Sequence, residues 1–106
     1  MKIQINTDHN IHGHGATIEQ IEATMEATLG HLSEHITRVE VHVSDVNAKK
    51  GGSTDKRCMM EARLEKHQPI AVTEEAASLD QAIEGAAQKL KRLVDHTLAR
   101  LGAHKV

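Results

Sequence analysis

Ser78-Leu79-Asp80-Gln81-Ala82-Ile83-Glu84-Gly85-Ala86-Ala87-Gln88-Lys89-Leu90-Lys91-Arg92-Leu93-Val94-Asp95-His96-Thr97-Leu98-Ala99-Arg100-Leu101 is the longest patterned stretch of the chain. Ser78 followed three residues later by Gln81 forms a capping box, which satisfies two of the free amides at a helix start. Leu79, Ile83, Ala86, Leu90, Leu93, Val94, Leu98 and Leu101 then recur at the spacing of a helix lying on a core. Lys89, Arg92, His96 and Arg100 follow one another at steps of three, four and four, so they line one outer face. Lys91 stands beside that row, with Asp95 at i+4 as a pairing partner. Gly102 supplies the stop. The stretch predicts one long helix, apolar on one side and basic on the other.

Working back from this helix, Ile70 to Thr73 reads as a short strand, with Glu74 to Ala77 leading into the helix. His67-Gln68-Pro69 is a break, since proline has no amide to donate. Lys56 to Lys66 alternates Cys58, Met60, Ala62 and Leu64 with Arg57, Met59, Glu61, Arg63 and Glu65, which is strand spacing. Met59 falls on the non-core phase, as an exposed apolar spot or the mark of a bulge. Asp45 to Asp55, with Lys49-Lys50-Gly51-Gly52-Ser53-Thr54 at its centre, reads as a hairpin loop longer than a tight turn needs. Arg38 to Ser44 alternates Val39, Val41 and Val43 with polar residues and is the clearest strand.

Further back, Thr17-Ile18-Glu19-Gln20 is a second capping box. Ile18, Ile21, Met25, Leu29, Leu32 and Ile36 continue from it at helical spacing, with Gly30 weakening the middle. Glu19, Glu22 and Glu26 suit the positive end of that helix's dipole, and His31 and His35 lie toward its other end. Thr7 to Gly15 is a loop, and Met1 to Asn6 alternates as a half-buried strand. The order is β-α-β-β-β-α in one domain, residues 1–106. Three strands on short links form an antiparallel meander, and the long helical crossover makes the first strand parallel to the second. Both helices must bury their stripes against one face of the four-stranded sheet. The fold class expected is α+β, a two-layer sandwich.

Composition narrows the function. The chain has no Phe, Tyr or Trp, so it has no rings on which single-stranded bases could stack. Nucleic acid would be met through backbone and shape. The formal net charge is −2, so any attraction to a polyanion comes from a local patch. One cysteine excludes an internal disulfide and suits a reducing compartment. No apolar run approaches the ~20 residues of a membrane span, and no apolar signal region opens the chain. The expected location is the cytoplasm, with no membrane partner and no small-molecule substrate.

The order and several stretches resemble the ribosome hibernation-promoting factor family, which includes the ribosome-associated inhibitor proteins and was long labelled as sigma-factor modulation proteins. Ala82-Ile83 followed by Lys89-Leu90 ahead of a basic helix is similar to the family's pattern there. Ile36-Thr37-Arg38-Val39-Glu40-Val41-His42-Val43 is similar to its strand after the first helix. The short first strand, the Asn-containing loop and the capped helix complete the likeness. The resemblance implies a fold similar to double-stranded-RNA-binding domains. It also implies a factor that occupies the decoding region of the small ribosomal subunit, blocking mRNA and tRNA and storing ribosomes in stress. An end at Val106 would make this a short member, without the extra dimerisation domain. The chain departs from the pattern in its acidic first helix, in His31 and His35 at places where the family tends to have lysine, and in Ser78 and Asp80 at places where it has an aspartate and an aromatic.

Other constellations are weaker. His9, His12 and His14 lie within six residues, but zinc needs three or four ligands in tetrahedral geometry, so a His-rich loop without metal is expected. Cys58 alternates into the core and away from Arg57, against a reactive thiol. Ser53-Thr54 has no adjacent base. Lys49-Lys50-Gly51-Gly52 is too short for a phosphate-binding loop. No cofactor, metal or catalytic residue is expected. The expected contacts to the phosphates of ribosomal RNA are Lys89, Arg92, His96, Arg100 and Lys91 from the helix, with Lys49, Lys50, Lys56 and Arg57 from the hairpin. The alternative is a protein-binding or weakly homodimerising module of the same fold, resting on the acidic first helix and an exposed sheet edge.

Overall fold

Apolar alternation places Val39, Val41 and Val43 on one face of the central strand, and the sheet is built around them. In the computed structural model, which describes residues 1–7, 18–45 and 56–102, the elements are β1 (Lys2–Thr7), α1 (Ile18–Leu29), β2 (Ile36–Asp45), β3 (Lys56–Leu64), β4 (Ile70–Ala76) and α2 (Leu79–Arg100). The strands lie in the order β1-β2-β3-β4. β1 runs parallel to β2, with Ile3 opposite Val39 and Ile5 opposite Val41. The other two pairs are antiparallel, placing Val41 beside Met60 and Met60 beside Val72. The architecture is the expected α+β sandwich.

Both helices cover the face that carries these residues. α2 packs over β3 and β4, and α1 lies beside α2 and against β1. Between the layers Met25, Leu29, Val39, Val41, Met60, Ala62, Leu90 and Val94 are fully buried, so aliphatic side chains and methionine fill the space that aromatics would otherwise take. Burial of each large side chain contributes about 1.5–3 kcal/mol.

The two ends of α2 follow the sequence. Ser78 Oγ accepts the Gln81 amide at 3.1 Å. At the other end Gly102 adopts φ 72°, a left-handed stop that glycine takes without strain.

Several expectations are corrected. α1 ends at Leu29, a single 3-10 turn spans Gly30–Leu32, and Ile36 is the first residue of β2. Gly30 marks the break: a hydrophobic spacing that fits a helix continued across it and into a strand. β3 stops at Leu64 because Lys66 takes φ 61°, which ends the extended run. β4 continues to Ala76 and takes in Glu74 and Glu75. Leu93 and Leu101, placed on the apolar stripe by spacing, are 38% and 54% exposed, while Ala82 and Ala87 are fully buried in their stead. Met59 is paired regularly with His42 and Thr73 on the open face, so it marks no bulge. The irregularity lies between Ile36 and Arg38, where the Thr37 hydroxyl donates to the Arg63 carbonyl at 3.0 Å. The Thr17 cap, the His9, His12 and His14 loop, Lys49, Lys50 and Ser53-Thr54 lie outside the described residues.

Candidate nucleic-acid interface

The buried side of α2 fixes where its cations go. Leu90, Val94 and Leu98 point into the core, so Lys89, Arg92, His96 and Arg100, one flank further round, are exposed. Lys89 identifies that flank. Its ammonium donates to the Thr73 carbonyl at 3.0 Å and pairs with Glu74 Oε1 at 2.6 Å, so the row overlooks the β4 edge of the sheet. Glu74 occupies a core-phase position opposite Cys58 at the sheet's margin. Its carboxylate leaves the interior across Gly85, where a Cβ would come within 2.7 Å of Glu74 Cγ. That close approach accounts for a glycine in the middle of a helix, where it costs about 1 kcal/mol relative to alanine.

The remaining cations divide sharply. On the open face of the sheet, Glu40 sits at the centre of a charge cluster, with Arg38 Nε at 3.3 Å, His42 Nε2 at 3.4 Å and Arg63 Nη2 at 3.7 Å. Arg38 also donates to the Gln4 side chain, and Arg63 reaches Glu61 at 3.8 Å. Arg57 grips one oxygen of Glu75 through Nε at 3.0 Å and Nη2 at 2.8 Å. By contrast, Arg92, His96 and Arg100 have no ion-pair partner among the described residues. Lys89, Arg92 and His96, together with Leu93, line a shallow open hollow on this flank.

The structure therefore brings together four of the predicted contacts, Lys89, Arg92, His96 and Arg100. Lys91 lies on the other side of α2, 4.0 Å from Asp95, in the row of Glu84 and Gln88. Asp80 and Glu84 line a cleft there with Gln20, Ile21 and Thr24 of α1. Arg57 faces away from both helices, on the open side of the sheet. Lys56 begins β3 opposite Ala76 and is half-buried. Glu19, Glu22 and Glu26 are exposed on α1, so the helix layer is acidic over α1 and basic along the outer flank of α2. Sequence reasoning missed Leu93 as a surface residue and Glu74 as the partner of Lys89.

Cys58 is fully buried, and burial pushes its thiol from 9.0 up to about 12, which keeps it protonated and unreactive. Among the described residues no three His, Cys, Asp or Glu side chains come together as a metal site, and no helix is long and apolar enough to cross a membrane.

A mixed four-stranded sheet with two helices on one face and a basic flank on the second helix defines a β-α-β-β-β-α domain of the two-layer kind. The chain belongs to the sigma 54 modulation protein / S30EA ribosomal protein family, whose model matches residues 7–101. Its fold is similar to that of the Protein Y N-terminal domain of Thermus thermophilus, with a TM-score of 0.65 at 23% identity, over 92% of this chain and 99% of that one. It is also similar to a ribosomal subunit interface protein from Coxiella burnetii, with a TM-score of 0.67 at 14% identity, over 93% of this chain and 99% of that one. No curated protein matches the chain in sequence.

Proposed function

We propose that this protein is a non-enzymatic factor that binds the small ribosomal subunit in the cytoplasm. It occupies the decoding region and inhibits or stores ribosomes under stress, without a cofactor. The outer flank of α2 lies along the phosphate backbone of ribosomal RNA, with Arg92 and Arg100 as the principal contacts and Lys89 and His96 beside them. The observation that carries this reading is the division of the arginines. Arg38, Arg57 and Arg63 are each held by a glutamate, while Arg92 and Arg100 stand without an acidic partner among the described residues. Exposed guanidinium groups in a row suit phosphates and carry no base readout. Family membership and the ribosomal interface protein from Coxiella burnetii support the choice of partner.

The test is co-sedimentation with purified small subunits at two salt concentrations. Arg92 and Arg100 as two phosphate contacts predict an affinity loss of about 12-fold between roughly 50 and 200 mM salt, from a slope near −0.9 per contact. Absence of binding at the lower salt would refute the reading and favour the protein-binding or homodimerising module, which the acidic exposed side of α1 would then serve.

A further inference from the structure

Leu93 is 38% exposed although it sits on the most strongly patterned helix of the chain. A single exposed leucine is ordinary, but this one shares its hollow with Lys89, Arg92 and His96. Arg92 and His96 have no ion-pair partner among the described residues, so the apolar surface has anion-seeking groups beside it. Phosphate contact alone draws nothing from an apolar side chain. A ligand that is anionic at one point and presents a flat, weakly hydrated face next to it uses both.

We propose that the hollow accepts one unpaired nucleotide of an RNA, with its base laid on Leu93 and its phosphate held by Arg92 and His96. This rests on the reading of the flank as an RNA surface and adds to it a place for a base. Every base has such a face, so the contact tolerates any sequence. In a chain without Phe, Tyr or Trp, the aliphatic Leu93 and the planar guanidinium of Arg92, which stacks on flat π-systems, supply what an aromatic platform supplies elsewhere. Charge complementarity chooses this occupant. The Arg92 guanidinium, which has no ion-pair partner among the described residues, calls for an anion at the hollow, and a nucleotide carries its anion adjacent to its apolar face.

Three RNA hairpins test the proposal: one with a single bulged adenosine, one with an abasic residue at the bulge, and one fully paired. The protein is titrated against each by fluorescence anisotropy. The bulged adenosine is expected to bind about fivefold more tightly than the abasic bulge, as for removing roughly 40 Å² of apolar surface from water. Leu93→Ser should abolish that preference while leaving the abasic affinity and its salt dependence in place, and Leu93→Met should keep it. Equal, salt-dependent affinities for all three hairpins would overturn the base site and leave the RNA flank standing. A preference that survives in Leu93→Ser would place the base elsewhere and overturn it as well. No binding to any hairpin would overturn the RNA flank and the base site together. If Leu93→Ser lost ribosome co-sedimentation with unchanged hairpin affinities, the occupant would be a protein surface and the proposal would fail.

Discussion

Glu74→Gln isolates the contact that restrains the basic flank. In the native protein Lys89 Nζ lies 2.6 Å from Glu74 Oε1, with the two side chains 46% and 29% exposed. A pair so accessible to water contributes about 0.2–1 kcal/mol to stability, so the variant should unfold in urea at a free energy within about 1 kcal/mol of wild type. Its effect on binding should be larger. Releasing Lys89 supplies one more phosphate contact, which steepens the slope of log affinity against log salt by about 0.9. At low salt the freed cation, no longer competing with an internal carboxylate, should raise affinity by up to about fivefold. The assay is titration of small subunits or an rRNA hairpin at several salt concentrations. Gly85→Ala is an independent route to the same state, because its Cβ would meet Glu74 Cγ at 2.7 Å and push the carboxylate off Lys89. Unchanged affinity and unchanged salt slope in Glu74→Gln would refute the placement of Lys89 on the binding surface. A stability loss above about 2 kcal/mol would show the clasp to be structural instead.

Leu90 is fully buried under α2, and Leu90→Ala should cost about 2–5 kcal/mol in denaturant unfolding; a loss below about 1 kcal/mol would mean that the helix presents another face to the core. The Cys58 thiol is raised from 9.0 to about 12 by burial, so the unfolded thiol ionises first, and the stability present below pH 9 should decline as pH climbs toward 12 at about 1.4 kcal/mol per unit. Cys58→Ala should flatten that part of the decline, and an identical profile would contradict the burial.

The fold was legible because its signals are local. The Ser78 cap, the Gly102 stop and the alternation of β2 and β3 each specify a backbone state within a few residues. Ile36 falls in register with α1's stripe across Gly30, yet it begins β2, and spacing alone does not reveal where a helix yields to a strand. Glu74 and Glu75 disguised the second half of β4, since acids are depleted in strands. They are placed there by partners that strand register and layer packing bring near, Lys89 on α2 and Arg57 on β3. The same holds for the candidate interface. The row Lys89, Arg92, His96 and Arg100 follows from helical spacing. Which arginines are neutralised depends on cross-strand contacts such as Arg63 with Glu40, and no linear pattern carries those. Leu93 fits the apolar stripe by its spacing from Leu90 and Ala86, yet the arc that β3 and β4 cover is filled by Ala86, Leu90 and Val94 and leaves Leu93 at its margin.

Reversing the charges along α2 addresses the central claim most directly. Lys89→Glu, Arg92→Glu and Arg100→Glu in one protein alter only exposed positions on the helix. A control carrying Lys2→Glu and Lys66→Glu, also at exposed positions, changes the net charge in the same direction away from that flank. Circular dichroism first establishes that both proteins fold. Co-sedimentation with small ribosomal subunits at low salt then separates them: the account predicts that the control pellets with the subunits and the triple variant stays in the supernatant. A folded triple variant that pellets as wild type does would contradict it.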